Sequence, residues 1–158
     1  PAVYALGRDD QNLARADLEV QTMSDEVDLI AWSLAEVAER HGDPTEAVYR
    51  RLFSQSPEMA ELFINDKTGA ARGEMLSVVF ETLLDFAGSS SYGGNMVRAE
   101  IVNHENLGVP PRVFATFFGT VMETVRELLG EAWTPKVQAA WDHMLANLDA
   151  LIMREPAA

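Results

Sequence analysis

His104-Glu105-Asn106-Leu107-Gly108-Val109-Pro110-Pro111 is the stretch that decides how this chain is read. It puts a histidine at the end of a short helical stretch, beside a Leu-Gly-Val corner, with two prolines to open the helix that follows. Phe117-Phe118 come about two turns later, then Leu129-Gly130-Glu131-Ala132-Trp133-Thr134-Pro135 and Ala140-Trp141. A lone histidine on an apolar face is more often a packed core residue than a ligand, although His is the commonest metal-binding side chain. This one stands ahead of two long apolar helices, and that setting favours the ligand reading.

Working outward, the helix opened by Pro110-Pro111 carries Phe114, Phe117, Phe118, Val121, Val125 and Leu128 on its apolar side and stops at Gly130. Thr134-Pro135 opens the next, threonine as cap and proline in the first turn, with a stripe of Val137, Trp141, Met144, Leu145, Leu148, Leu151 and Ile152. Upstream, Ser24 is placed to cap a helix with Val27, Ile30, Leu34 and Val37 inward, and Gly42 to end it. Asp43-Pro44-Thr45-Glu46 has the form of a capping signal ahead of Val48, Leu52 and Phe53, with proline at the first helical position. Ser56-Pro57 starts a short helix ending near Leu62-Phe63, and residues 64 to 70 read as a loop. Leu76, Phe80, Leu83 and Leu84 then form a helical stripe that runs out at Ala87-Gly88. Ser89-Ser90-Ser91-Tyr92-Gly93-Gly94-Asn95 loses much entropy on ordering and buries little, so it is expected to be a flexible connection. Almost nothing reads as a strand. The fold class is all-α.

With 158 residues, 47% of them apolar and 23% charged, the chain suits one soluble domain, and its longest apolar runs are too short to span a bilayer. Residues 1 to 22 have only scattered apolar side chains and are expected to be a partly ordered N-terminal extension; 23 to 155 form the domain. A formal charge of −13 argues against binding nucleic acid through its phosphates; the acids are expected to solvate outer helix faces. There is no cysteine, hence no disulfide, no thiolate ligand and no Cys-x-x-Cys-His haem attachment. No signal-peptide pattern opens the sequence, so a cytoplasmic location is expected.

Val48-Tyr49-Arg50-Arg51-Leu52-Phe53-Ser54-Gln55-Ser56-Pro57-Glu58 and Glu61-Leu62-Phe63, in register with His104 and Trp141, resemble bacterial single-domain globins and the globin part of flavohaemoglobins, over roughly residues 25 to 153. The resemblance implies a globin fold of about six to eight helices around a non-covalent haem b, with His104 as the metal ligand. A neutral imidazole is oriented when its second nitrogen donates to a carbonyl, and that of Glu100, one turn earlier, is the expected acceptor. By the same resemblance Tyr49 points into the distal pocket, Phe63 stacks on the haem, and Val109 and Phe114 lie near the proximal side. Anchoring the distal helix on Leu76, over the haem, puts Arg72 at the distal position and Gly73 where two helices cross; a register one residue different makes Gly73 the distal residue. His41 and His143 read as surface residues.

The chain also departs from that family. Flavohaemoglobins place a Tyr and a Glu near the proximal histidine; here the corresponding places hold Phe114, Leu145 and Glu155-Pro156. The imidazole is therefore expected to be closer to neutral, which favours reversible binding of oxygen, nitric oxide and carbon monoxide over a dedicated enzyme. Nitric oxide dioxygenation and nitrite or peroxidase chemistry are side activities on this reading, anions bind the ferric haem, and electrons come from a separate reductase, since no Gly-rich phosphate loop is present. The protein is expected to be a monomer or homodimer. The alternatives are a gas or redox sensor signalling to a protein partner, and a haem-free helical interaction module in which His104 and Tyr49 only pack. A di-iron site is excluded, because Glu100 and His104 have no paired Glu-x-x-His motifs beside them.

Overall fold

The computed structural model describes residues 7–22, 25–89 and 91–154, and among these every regular element is helical. In chain order they are α1 (Arg8–Thr22), α2 (Glu26–His41), α3 (Thr45–Gln55), a 3-10 helix (Pro57–Phe63), α4 (Ala70–Ala87), α5 (Gly93–Asn106), α6 (Pro111–Leu129), a 3-10 turn (Gly130–Ala132) and α7 (Pro135–Ile152). The fold is all-α, as the periodicity predicts.

Local chemistry starts these helices where the sequence places the signals. Thr134 has an extended backbone and its Oγ1 accepts from Val137 N–H at 3.3 Å, with Pro135 behind it in the first turn. Pro110 is extended and Pro111 opens α6. At α3 the capping group is Asp43, whose Oδ1 accepts from Thr45 N at 2.9 Å and Thr45 Oγ1 at 2.6 Å; those bonds hold the carboxyl below its ordinary range, and the helix begins at Thr45, one residue later than expected. Ser24, the expected cap of α2, lies outside the described residues, as do Glu155 and Pro156.

The core is where α2 crosses α6 and α7, with α3 on α6 and α4 on α5. Ile30 and Val37 of α2, Val48 and Leu52 of α3, Val121 and Val125 of α6, and Val137, Trp141 and Met144 of α7 are buried together. A polar tie runs through it: Trp141 Nε1 donates to Ser33 Oγ at 3.0 Å, and Ser33 Oγ donates to the Ile30 carbonyl at 2.7 Å, so neither group is left unsatisfied.

Two segments read differently in three dimensions. Within the expected N-terminal extension, residues 8–22 form α1, which packs beside the Gly130–Ala132 turn with Ala16 buried and Arg15 3.3 Å from Glu36 Oε1. The expected flexible connection is shorter than drawn, because Gly93, Gly94 and Asn95 are already the first turn of α5. Asp85 at the end of α4 explains this. Its Oδ2 accepts from Gly93 N at 2.6 Å and Tyr92 N at 3.0 Å, and its Oδ1 from Ser91 N at 3.2 Å and Ser89 Oγ at 3.1 Å. One carboxylate thus caps α5 from the preceding helix. Among the described residues no helix is long and apolar enough to cross a membrane.

Candidate functional site

His104 sits in the last turn of α5, which packs on α4, α6 and α7. Its Nδ1 lies 2.8 Å from the carbonyl of Glu100, the acceptor expected from the sequence. A carbonyl oxygen only accepts, so Nδ1 carries a proton, and in the neutral imidazole Nε2 then keeps its lone pair. The Glu100 carboxylate lies near the same nitrogen, its Oε2 3.5 Å from Nδ1. Behind His104 the chain turns back on itself. Leu107 N and Val109 N both donate to the His104 carbonyl, at 3.0 and 2.9 Å, and Gly108 takes φ +87°, a left-handed conformation that favours glycine. The corner buries Val109, leaves Leu107 exposed, and sends α6 off with Phe114 against the imidazole, ring centroids 4.9 Å apart.

From Phe114 an aromatic wall leads along α6 to Tyr49. Phe114 meets Phe118 edge-on at 5.5 Å, Phe118 meets Phe117 at 6.4 Å, and Phe117 meets Tyr49 at 5.6 Å. Phe53 and Phe63 complete the surroundings of Tyr49 at 5.9 and 5.2 Å. Tyr49 is 1% exposed, and its hydroxyl is buried without a hydrogen-bond partner among the described residues. Burial pushes its pKa well above the ordinary phenol value, opposed by the nearby Arg72 charge, so the hydroxyl stays a donor. An orphaned donor of this kind inside an aromatic cage is costly unless something accepts from it.

Leu76, the expected distal-helix anchor, is buried on α4. Arg72 lies one turn before it, its Nε donating to Asp66 Oδ2 at 3.0 Å and its Nη2 to the Asp66 carbonyl at 3.2 Å. Gly73, the other candidate, lies where α4 crosses α3: a Cβ there would stand 3.9 Å from Thr45 Oγ1, an ordinary van der Waals contact, so this crossing does not require a glycine. An open depression of about 550 Å³ flanks that crossing, lined by Thr45, Gly73, Leu76 and Phe80 among others, and neither His104 nor Tyr49 lines it. His41 and His143 are exposed; His41 Nε2 meets the Leu128 carbonyl and His143 the Glu26 carboxylate. Among the described residues no group of three or more His, Cys, Asp or Glu could hold a metal ion.

Sequence reasoning named His104, Phe114, Tyr49 and Phe63, which the structure places in two contacting pairs, and it did not name Phe53, Phe117, Phe118 or Asp66 as neighbours of the site. Phe53 follows Tyr49 by four and Phe117 follows Phe114 by three, spacings that share a helix face. For Asp66 the signal was an acid placed to cap α4, its Oδ1 and Oδ2 accepting from Ala71 N and Arg72 N at 3.2 and 3.1 Å.

A lone proximal imidazole with a free Nε2, an aromatic wall and a buried phenol without a partner suit a haem: one nitrogen for iron, apolar faces for a flat macrocycle, and one donor for its ligand. A helical haem-binding protein is the class this fold and site fit. Residues 46–152 match the family model of the globins. The chain belongs to the globin family, whose members bind haem. It is similar to the flavohemoprotein of Bordetella pertussis, 28% identical over 138 residues that cover 85% of this chain and 34% of that protein, so it spans about a third of that relative's length. No solved structure matches it.

Proposed function

We propose that the chain holds one haem b non-covalently, with His104 Nε2 as its axial ligand, and reversibly binds oxygen and other diatomic gases. When bound, the haem supplies an iron with one open coordination position. His104 is held for that role by the Nδ1 bond to the Glu100 carbonyl and by the Phe114 ring. Phe63, Leu76 and Val109 supply apolar contact, and Tyr49 donates to a ligand in the distal space. The observation that carries this reading is the Tyr49 hydroxyl, a buried donor for which no described residue supplies an acceptor.

Ligand binding rather than dedicated turnover is supported by the proximal side. The nearest acceptor of the His104 proton is a neutral carbonyl, and Phe114, packed on the imidazole, has no hydroxyl to polarise it. Any redox turnover, nitric oxide dioxygenation included, draws its electrons from a reductase outside this helical domain. Absorption spectra of the protein as purified, reduced, and reduced with carbon monoxide test the proposal. His104→Ala is expected to lose most of the haem or to change its ligand-field bands, and normal haem content with an unchanged spectrum in that variant overturns it.

A further inference from the structure

Arg72, close enough to Tyr49 for its charge to act on the phenol, is held in place by Asp66. Both of its hydrogen bonds go to Asp66: Nε to the carboxylate at 3.0 Å and Nη2 to the main-chain carbonyl at 3.2 Å. The loop wraps it, with Gly69 so near that a Cβ there would stand 3.4 Å from Nη2. The Arg72 side chain keeps 26% of its surface and that of Asp66 only 9%, so the pair is partly shielded from water. Both charges reach the Tyr49 hydroxyl, the arginine favouring negative charge there and the aspartate opposing it.

The two partners are not equally bound to each other. Asp66 also accepts from the backbone of Ala71 and Arg72, so its carboxylate remains hydrogen-bonded when the guanidinium leaves. Arg72 is charged at any working pH and has to find another anion if it moves. We propose that Asp66 is a tether that keeps Arg72 in place near Tyr49 and so sets the preference between neutral and anionic ligands in the distal space. A small anion, such as azide or nitrite, competes with Asp66 for the guanidinium while Tyr49 supplies a second donor. A neutral diatomic gas makes no such exchange, and its binding is independent of the tether. This rests on the reading of Tyr49 and Arg72 as distal residues of a haem site.

The test is a double-mutant cycle on haem-loaded protein. Asp66→Asn removes the charge and keeps an acceptor for the helix cap, and Asp66→Ser does the same through a hydroxyl; circular-dichroism melting of the apo forms shows which variant keeps α4 intact. In the intact variant, azide affinity of the ferric protein is expected to rise about fivefold, between the worth of an exposed ion pair and that of a shielded charge-assisted bond. Carbon monoxide affinity of the ferrous protein should stay within about twofold, the scale of a contact not made. Arg72→Ala should weaken azide binding, and adding the Asp66 change to it should then do nothing. An equal gain with and without Arg72 overturns the tether, because the charge then acts directly on the ligand. No gain from Asp66→Asn or Asp66→Ser, with Arg72→Ala still weakening azide, overturns it too. If Arg72→Ala itself leaves azide affinity unchanged, the underlying assignment of Arg72 to the distal position fails, and the tether with it.

Discussion

Tyr49 combines burial, a raised pKa and a hydroxyl without a partner, so its phenol is a fixed, protonated donor. Oxygen bound to a ferrous haem accepts hydrogen bonds well and carbon monoxide poorly. Tyr49→Phe is therefore expected to speed oxygen dissociation about tenfold, the rate change for a loss of about 1.5 kcal/mol, with a smaller change for carbon monoxide. Stopped-flow displacement of each ligand checks this, and equal changes for both would mean that Tyr49 only fills space. On the other side of the site, His104 Nδ1 lies 2.8 Å from a neutral carbonyl and 3.5 Å from the Glu100 carboxylate, which is itself 35% exposed. With His104 on a haem iron, that carboxylate would stabilise the more positive ferric state, weakly because water screens it. Glu100→Gln should raise the ferric-ferrous reduction potential by about 30 mV, half of the step for a tenfold change in a one-electron equilibrium. Spectroelectrochemical titration measures it; an unchanged potential means that only the carbonyl acts on His104.

α5 carries His104 and has little intrinsic strength, since it opens with two glycines and buries only Gly93 and Val97. Asp85 of α4 compensates by capping it. Gly93 is required at that junction, because a Cβ there would stand 2.9 Å from both Asp85 Oδ2 and the Thr82 carbonyl. Gly93→Ala should destabilise the apo protein by about 1–3 kcal/mol through this overpacking, read from urea midpoints, and speed haem loss. Stability unchanged within error would show that α5 can move aside. Burial alone would raise the Asp85 pKa, but the N–H groups of Gly93, Tyr92 and Ser91 and the Ser89 hydroxyl hold it below the ordinary 3.8. With the folded value depressed, the cap's contribution is complete above pH 3.8 and is lost as pH falls through the lower folded value. Asp85→Asn should flatten the acid limb of the stability curve over that window, and an unaltered limb would assign acid lability to other carboxylates.

Across the whole molecule, α2 and α7 are joined by the Trp141–Ser33 hydrogen bond between residues 108 apart in sequence. Ser33→Ala leaves a buried indole N–H without an acceptor and should cost about 1–3 kcal/mol in urea unfolding, whereas an effect of a few tenths would mean that water reaches the indole. Much of the architecture was legible beforehand for a local reason. Apolar residues three and four apart, Gly42 and Gly130 as stops, and Thr134-Pro135 as a start are properties of adjacent residues, and the helices stand where those signals lie. His104 and its Glu100 carbonyl were legible likewise, being one turn apart on one helix. The boundary at residue 93 was not, since Ser, Gly and Asn read as a connection until an acid from another helix satisfies their N–H groups. By itself the sequence determined an all-helical chain with one histidine poised at a corner and a tyrosine two helices before it. Only the tertiary structure decided that Phe114, Phe118 and Phe117 link the two, that α1 joins its neighbours with Arg15 at the buried Glu36, and that Asp66 holds Arg72. Helical periodicity says which side of a helix turns inward, but which groups meet depends on how helices distant in sequence cross and on how loops wrap once the chain has closed around its core.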